Sequence, residues 1–135
     1  MLPPFHSDID IRERSPLSLA FVGDGVLELL VRARLVSKSH ATPAVLHHEA
    51  ITLVSAKAQA RLLETLLPHL KEAEKDIVRR GRNASKAAVS KHASVQEYRA
   101  STGLEALFGW LYLQDRHERI DELFDLLWKE YEHSA

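Results

Sequence analysis

Two acidic residues lie in stretches of sequence that are otherwise almost entirely apolar. Asp24 stands between two glycines in LSLAFVGDGVLELLV, and Glu105 stands in YRASTGLEALFGWLYL, where no other acid occurs between Glu97 and Asp115. Buried carboxylates are rare unless they are paired or bind a metal, because removing the charge from water is expensive. Asp24 and Glu105 are therefore candidate metal ligands and candidate catalytic groups.

A third acid lies close to the first one along the chain. Glu28 follows Asp24 by four residues, which is one turn along the same face of a helix. Like charges at this spacing repel by roughly 0.2 to 0.5 kcal/mol, and a bound cation would remove the conflict. The alternative is that Asp24 and Glu105 face solvent, or pair with an arginine such as Arg32 or Arg99. Composition alone leaves both interpretations open.

A basic segment, residues 79–92, lies between the two acidic motifs along the chain. Its sequence RRGRNASKAAVSKH contains no acid, although the whole chain has a net charge of −1. This segregation of charge predicts a local anion-binding patch, while the alternative is a solvated basic loop. The candidate phosphate-binding cations are Arg79, Arg80, Arg82, Lys86 and Lys91.

Length and composition limit the class of protein. With 135 residues the chain is predicted to form one domain, residues 1–135, in which residues 1–14 are an N-terminal extension. The absence of cysteine excludes disulfides and thiolate zinc sites. No apolar stretch has the length of a signal peptide or of a membrane span. We therefore expect a soluble, cytoplasmic protein that has no membrane partner.

The hydrophobic pattern predicts an all-α fold, because apolar residues recur at spacings of three and four and no alternation of period two is sustained. Ser15 and Pro16 begin a first helix that ends near Ser37. Thr42 and Pro43 begin a second helical stretch, which runs to Pro68 either as one bent helix or as two helices broken around Ser55.

Three further helices complete the predicted set. One runs from about Leu70 to Arg80 and stops at Gly81, so that the basic segment is predicted to be a loop. The next begins at a capping box formed by Ser94 and Glu97 and continues to about Gln114. The last is an acidic helix over residues 117–132, with an apolar inner stripe.

The two acidic motifs resemble those of the RNase III family. FVGDGVLE resembles the family's signature helix, and STGLEALFGWLYL resembles its second acidic helix. Together with VSAKAQARLL and VRRGRNASK, the pattern is similar to the stand-alone Mini-ribonuclease III branch, from about Leu17 to Leu113. This branch has no double-stranded-RNA-binding domain.

The resemblance implies a homodimer with the helical fold of the RNase III endonuclease domain. It implies metal-dependent cleavage of double-stranded RNA with 5′-phosphate and 3′-hydroxyl ends, and maturation of precursor large-subunit ribosomal RNA. Mg²⁺, which Mn²⁺ could replace, would be held by Asp24 and Glu105. Leu17, Ala20 and Thr102 stand where the long enzymes have further acids. The metal site is therefore expected to have few protein ligands. Glu28, which matches no catalytic position, could lie outside the ligand set and support the residues that bind the ion.

Two other functions stay open at this point. A non-catalytic dimer with the RNase III fold could bind RNA or associate with ribosomes, and the missing acids permit this alternative. A plain helical protein-interaction dimer would leave the basic segment unexplained. In each case the helix that carries Asp24, with Gly23 and Gly25 beside it, is the predicted dimer element.

Overall fold

The structure, a computed structural model, describes residues 9–86 and 93–134. Within these ranges the chain forms six α-helices and two short 3₁₀ turns, Ile11–Glu13 and Leu67–His69. None of these helices is long and apolar enough to cross a membrane. The prediction of an all-α fold is confirmed. The helices are α1 (Pro16–Lys38), α2 (Pro43–Val54), α3 (Ala56–Leu66), α4 (Glu72–Ala84), α5 (Val95–Tyr112) and α6 (His117–Ser134).

Polar side chains cap the helices where the sequence places them. The Ser15 hydroxyl accepts the Ser18 backbone N–H and begins α1. At the start of α5, the Glu97 N–H donates to the Ser94 hydroxyl at 3.0 Å and the Ser94 N–H donates to the Glu97 carboxylate at 2.8 Å. Ser55 ends α2 and caps α3, so the stretch from Pro43 onward forms two helices rather than one bent helix.

The prediction that Gly81 ends α4 was wrong, because α4 continues to Ala84. Gly81 packs against α5 instead: a Cβ atom at this position would lie 2.9 Å from the Ala106 Cβ atom and 3.0 Å from the Gly103 Cα atom. The glycine therefore permits close helix packing and does not stop the helix. As a consequence, Arg82, which lies beyond the predicted end of the helix, is helical, as Arg79 and Arg80 are.

Helices α1 and α5 cross in direct backbone contact. A Cβ atom on Gly23 would lie 1.6 Å from the Glu105 carbonyl oxygen, and one on Gly109 would lie 1.9 Å from the Leu19 carbonyl oxygen. No other residue type could occupy these two positions without moving a helix. By contrast, a Cβ atom on Gly25 would meet nothing within 4 Å.

Helix α5 is the centre of the core, and α1, α3, α4 and α6 pack against it. Leu107, Phe108 and Leu111 are fully buried along it. A buried ion pair also links α4 to α6, because Arg119 donates to both carboxylate oxygens of Glu74 at 2.8 Å. With these helices fixed around it, α5 holds its side chains at defined positions relative to α1.

Gly23→Ala should lower the free energy of unfolding by about 1 to 3 kcal/mol or more, because the added methyl group overpacks the α1–α5 contact. Gly25→Ala is the control for packing within one chain, since its methyl group meets no atom of that chain and alanine favours a helix by up to about 1 kcal/mol. Unfolding is compared at several protein concentrations, so that an effect on self-association is separated from an effect on packing within the chain. Urea unfolding of both variants measures the difference. An equal change in the two variants would contradict the packing role of Gly23.

Candidate active site

The crossing of α1 and α5 brings the two candidate ligands together. Gly23 contacts the Glu105 backbone, and the neighbouring Asp24 side chain interacts with the Glu105 carboxyl by charge and by a hydrogen bond. Asp24 is exposed and Glu105 is partly buried. Two residues that are 81 positions apart in the sequence therefore form one acidic pair.

The environment of this pair favours the neutral form of Glu105. Burial, and then the negative charge and hydrogen bond of Asp24, raise the pKa of Glu105 to about 8. A hydrogen bond from Gln59 acts in the opposite direction and lowers this pKa. Without a cation, most of the Glu105 carboxyl is therefore protonated at pH 7.

The donor set fits a hard divalent cation. Carboxylate oxygens are the ligands that Mg²⁺ prefers, and Mg²⁺ is commonly held by one or two carboxylates, with water and substrate phosphate at the remaining positions. A cation between Asp24 and Glu105 would also offset their repulsion. No group of three or more acids or histidines suited to a metal occurs among residues 9–86 and 93–134. The pair therefore resembles a metal site with few protein ligands, the kind of site that the sequence predicts.

Glu28 does not join this pair. Its carboxylate accepts a hydrogen bond from Arg32 Nε at 3.0 Å, one turn along α1. Arg32, which was one of the alternative partners for the acids of the site, is thus engaged by Glu28. The supporting role expected for Glu28 stays a prediction.

Thr102, one of the three residues that stand in place of further acids, is committed to the packing of α5. It is buried, and its hydroxyl donates to the Tyr98 carbonyl oxygen and forms a hydrogen bond with the Ser85 hydroxyl, each at 3.1 Å. Ser85 follows the end of α4. Thr102 therefore joins α5 to the end of α4, and its hydroxyl is used in packing rather than in binding a ligand.

Gln59 on α3 is a residue of the site that the sequence analysis missed. It is only 2% exposed, and its side chain hydrogen bonds with Glu105. The available signal was a polar residue on the buried face of α3, between Ala58 and Leu62. A single glutamine in an amphipathic helix gives no indication of its partner, so only the three-dimensional structure identifies it.

The basic residues lie on the neighbouring helix. Arg79, Arg80 and Lys86 are exposed, and the aliphatic stem of Arg82 lies over Gly103. Arg79 also pairs with Asp76 on the same helix. The fifth predicted cation, Lys91, lies outside the described residues.

Helix α4 packs against the segment of α5 that carries Glu105. Gly81, which the arginines flank, packs against the Thr102 backbone and against Ala106, the residue after Glu105. Cationic side chains and the acidic pair are thus held by the same segment of α5.

Comparisons with known proteins agree with this fold. The ribonuclease III domain family matches residues 17–116. The Mini-ribonuclease 3 of Symbiobacterium thermophilum is 47% identical over 108 residues, which are 80% of this chain and 83% of that protein. The Mini-ribonuclease 3 of Staphylococcus aureus is 42% identical over 120 residues, covering 87% and 90% of the two chains.

A solved structure gives the same result for the fold. The crystal structure of protein FN1578 from Fusobacterium nucleatum superposes with a TM-score of 0.81 at 30% identity, covering 90% of this chain and 98% of that one. The chain belongs to the ribonuclease III domain family, as its motifs predict, and is an endoribonuclease of a family that acts on double-stranded RNA with the help of divalent metal.

The raised pKa of Glu105 predicts a pH-dependent stability in the absence of metal. Between its ordinary value of 4.5 and its folded value of about 8, the folded chain holds more protons at this group than the unfolded chain does. The contribution of Glu105 to the free energy of unfolding is therefore most favourable below pH 4.5, falls as the pH rises, and levels off above about 8. Urea unfolding in EDTA, with Glu105→Gln as the reference, isolates this contribution. A difference curve that is flat across this range would contradict the shift.

Proposed function

We propose that this protein cleaves double-stranded RNA with a Mg²⁺ ion held by Asp24 and Glu105, and leaves 5′-phosphate and 3′-hydroxyl ends. The observation that carries the proposal is the contact between these two carboxyl groups at the α1–α5 crossing. Without a cation, Glu105 must hold a proton to lie beside Asp24, whereas a bound divalent cation would let both acids carry their negative charge.

Bound Mg²⁺ would supply an activated water and stabilise the charge that develops on the phosphoryl oxygens. The chain supplies the positioning. Asp24 and Glu105 belong to two helices in backbone contact, so the distance between their carboxylates is set by packing rather than by loop conformation. Mn²⁺ accepts the same oxygen ligands and is expected to substitute.

We assign the RNA backbone to the cations of the basic segment, residues 79–92, of which Arg79, Arg80 and Lys86 are exposed. The phosphates of an A-form duplex are accessible from its surface, whereas its deep, narrow major groove is closed to side chains. Recognition by Arg79, Arg80, Arg82, Lys86 and Lys91 would therefore depend on shape and charge, with little sequence preference. Such residues next to the acidic pair would hold the scissile strand close to the metal.

The active form is proposed to be a homodimer, because cutting both strands of a duplex requires two sites related by a two-fold axis. The exposed face of α1 carries large apolar side chains, among which Phe21 is 84% exposed and Val36 65% exposed. Such a face is unfavourable in water and suits a partner helix. Its residues are Leu17, Phe21, Leu29 and Val36.

Precursor large-subunit ribosomal RNA is the proposed natural substrate. Support comes from the resemblance of the motifs to the Mini-ribonuclease III branch and from the names of the relatives at 42% and 47% identity. Incubation of the purified protein with long double-stranded RNA, with and without Mg²⁺, tests the activity. Incubation with precursor ribosomal RNA and mapping of the new ends then tests the substrate.

A non-catalytic RNA-binding or ribosome-associated dimer is the second candidate. The specific observation in its favour is that only two carboxylates meet at the site in the described part of the chain. Binding of duplex RNA without metal-dependent fragmentation would select this candidate.

Asp24→Asn and Glu105→Gln should each fold and each lose cleavage by at least about 1000-fold, because several kcal/mol of transition-state stabilisation depend on the ion. Rates with Mg²⁺ and with Mn²⁺ measure the loss and any rescue of Glu105→Gln by Mn²⁺. Glu64→Gln, an exposed acid on α3, is the control and should cut normally. A parental rate in either site variant would remove that residue from the site.

Replacing Arg79, Arg80 and Arg82 by alanine should weaken binding to all RNA duplexes about equally. The salt dependence should flatten by about 0.9 in log–log slope for each phosphate that the variant no longer neutralises, taking the value for duplex DNA. The control replaces Arg12, Arg14 and Lys129, which are exposed outside the basic segment, and removes the same charge. Equal slopes in the two triple variants would exclude a specific role for α4.

Phe21→Glu should weaken the dimer by about 30-fold or more, since a buried aromatic anchor commonly contributes about 2 kcal/mol to an interface. Sedimentation across a concentration series measures the monomer–dimer equilibrium. The control is Ile51→Glu, which changes an exposed apolar residue of α2. A dimer that Phe21→Glu leaves intact would exclude this face of α1 as the interface.

A further inference from the structure

The Gln59 side chain is a buried amide at the junction of three helices. The Ser101 hydroxyl donates to its Oε1 atom at 2.8 Å, and its Nε2 atom donates to the Val54 carbonyl oxygen at 3.1 Å. The same side chain lies near enough to the Glu105 carboxyl to lower the pKa of that group, and Ser101, which it contacts directly, is one helical turn before Glu105 on α5. The amide therefore connects the end of α2, the buried face of α3 and the acidic pair.

These hydrogen bonds fix which way the amide faces. Because the Ser101 hydroxyl occupies the oxygen, the nitrogen of Gln59 is the donor: it donates to the Val54 carbonyl, and its second N–H is available to the Glu105 carboxyl, whose pKa Gln59 lowers. Ser101 and Glu105 are four residues apart on α5, so they present their side chains on the same face of that helix. One glutamine can thus contact both of them.

This arrangement would act on the orientation of Glu105, the candidate metal ligand, and not directly on the RNA substrate. A glutamate side chain has three rotatable bonds, and an unrestrained carboxylate would spend much of its time turned away from Asp24. A hydrogen-bond donor behind the carboxylate restricts its orientation and favours its charged form. Partners of this kind behind metal ligands commonly contribute about 10- to 100-fold in metal affinity.

We propose that Gln59 is a positioning residue of the cation site, and that it holds the Glu105 carboxylate facing Asp24 so that both acids bind one divalent ion. The inference rests on the proposed function, because it assumes that Asp24 and Glu105 bind metal. It extends that function to a residue of α3, and through Ser101 to the packing of α5.

A purely structural role is the competing explanation. Gln59 also satisfies the Val54 carbonyl at the break between α2 and α3, where Ser55 ends one helix and begins the next. Loss of the amide would then destabilise the fold without a specific effect on metal binding. Stability and metal affinity must therefore be measured on the same variants.

The experiment compares three substitutions in the full-length protein. Gln59→Leu removes the amide and keeps the volume, and Ser101→Ala removes only the hydroxyl that orients it. Thr102→Val is the matched control, because it removes a neighbouring buried hydroxyl of α5 that bonds to Tyr98 and Ser85 rather than to Gln59. For each protein, titration calorimetry with MgCl₂ gives the Kd, and thermal unfolding in EDTA gives the Tm.

The proposal expects Gln59→Leu to raise the Kd for Mg²⁺ by about 10- to 100-fold. Ser101→Ala should raise it by a smaller factor, and Thr102→Val should lower the Tm while leaving the Kd unchanged. If Gln59→Leu does not fold, the contrast between Ser101→Ala and Thr102→Val decides the question.

Two results would overturn the proposal. An unchanged Kd in Gln59→Leu, or Kd values that follow Tm in all three variants, would leave Gln59 a structural residue while the proposed function stands. A parent protein that binds no Mg²⁺ would overturn both the proposed site and the role of Gln59.

Discussion

The backbone contact between α1 and α5 is the constraint on which the rest of the structure depends. Gly23 and Gly109 each allow the opposite helix to approach to a distance that any side chain would prevent. Asp24 follows the first of these glycines, and the carbonyl of Glu105 lies against it. The acidic pair is therefore a direct product of this crossing, and a shift of either helix would separate its two carboxyl groups.

This contact also explains why the pair is both unfavourable and firmly held. The helices bring Glu105 into a partly buried position beside another acid, where its charged form is disfavoured and its pKa rises to about 8. The packing of the large core around α5 offsets the free-energy cost of placing Glu105 beside Asp24. Repulsion between the two acids therefore does not open the site. Strain of this type is common at functional sites, where the surrounding structure imposes an arrangement that the local groups would not choose.

Much of the fold follows from local sequence signals, and the structure differs from the prediction where packing overrides them. Ser15, Thr42 and Ser94 each begin a helix as predicted, because a capping side chain acts within three or four residues of its own position. The prediction for Gly81 failed, since a glycine at a helix end and a glycine at a helix crossing look the same in sequence. Only the position of α5 distinguishes them.

The candidate site, like the fold, could be predicted only where a local sequence signal marks the residue. Asp24 and Glu105 were identifiable because each is a lone acid in an apolar stretch, a property of the local sequence. Gln59 was not, because its significance depends on Ser101 and Glu105, which lie 42 and 46 residues further along the chain. Family resemblance supplied what the pattern could not, namely the expectation that the two acidic motifs come together, and the structure places Asp24 beside Glu105.

The continuation of α4 through Gly81 has a consequence for the entropy of RNA binding. Cations on a loop must be ordered when they meet their ligand, and fixing the backbone costs about 1 to 2 kcal/mol for each residue. Arg79, Arg80 and Arg82 project from a helix whose backbone is already ordered. Only side-chain freedom would be given up when they meet phosphates, so more of the electrostatic attraction would remain as affinity.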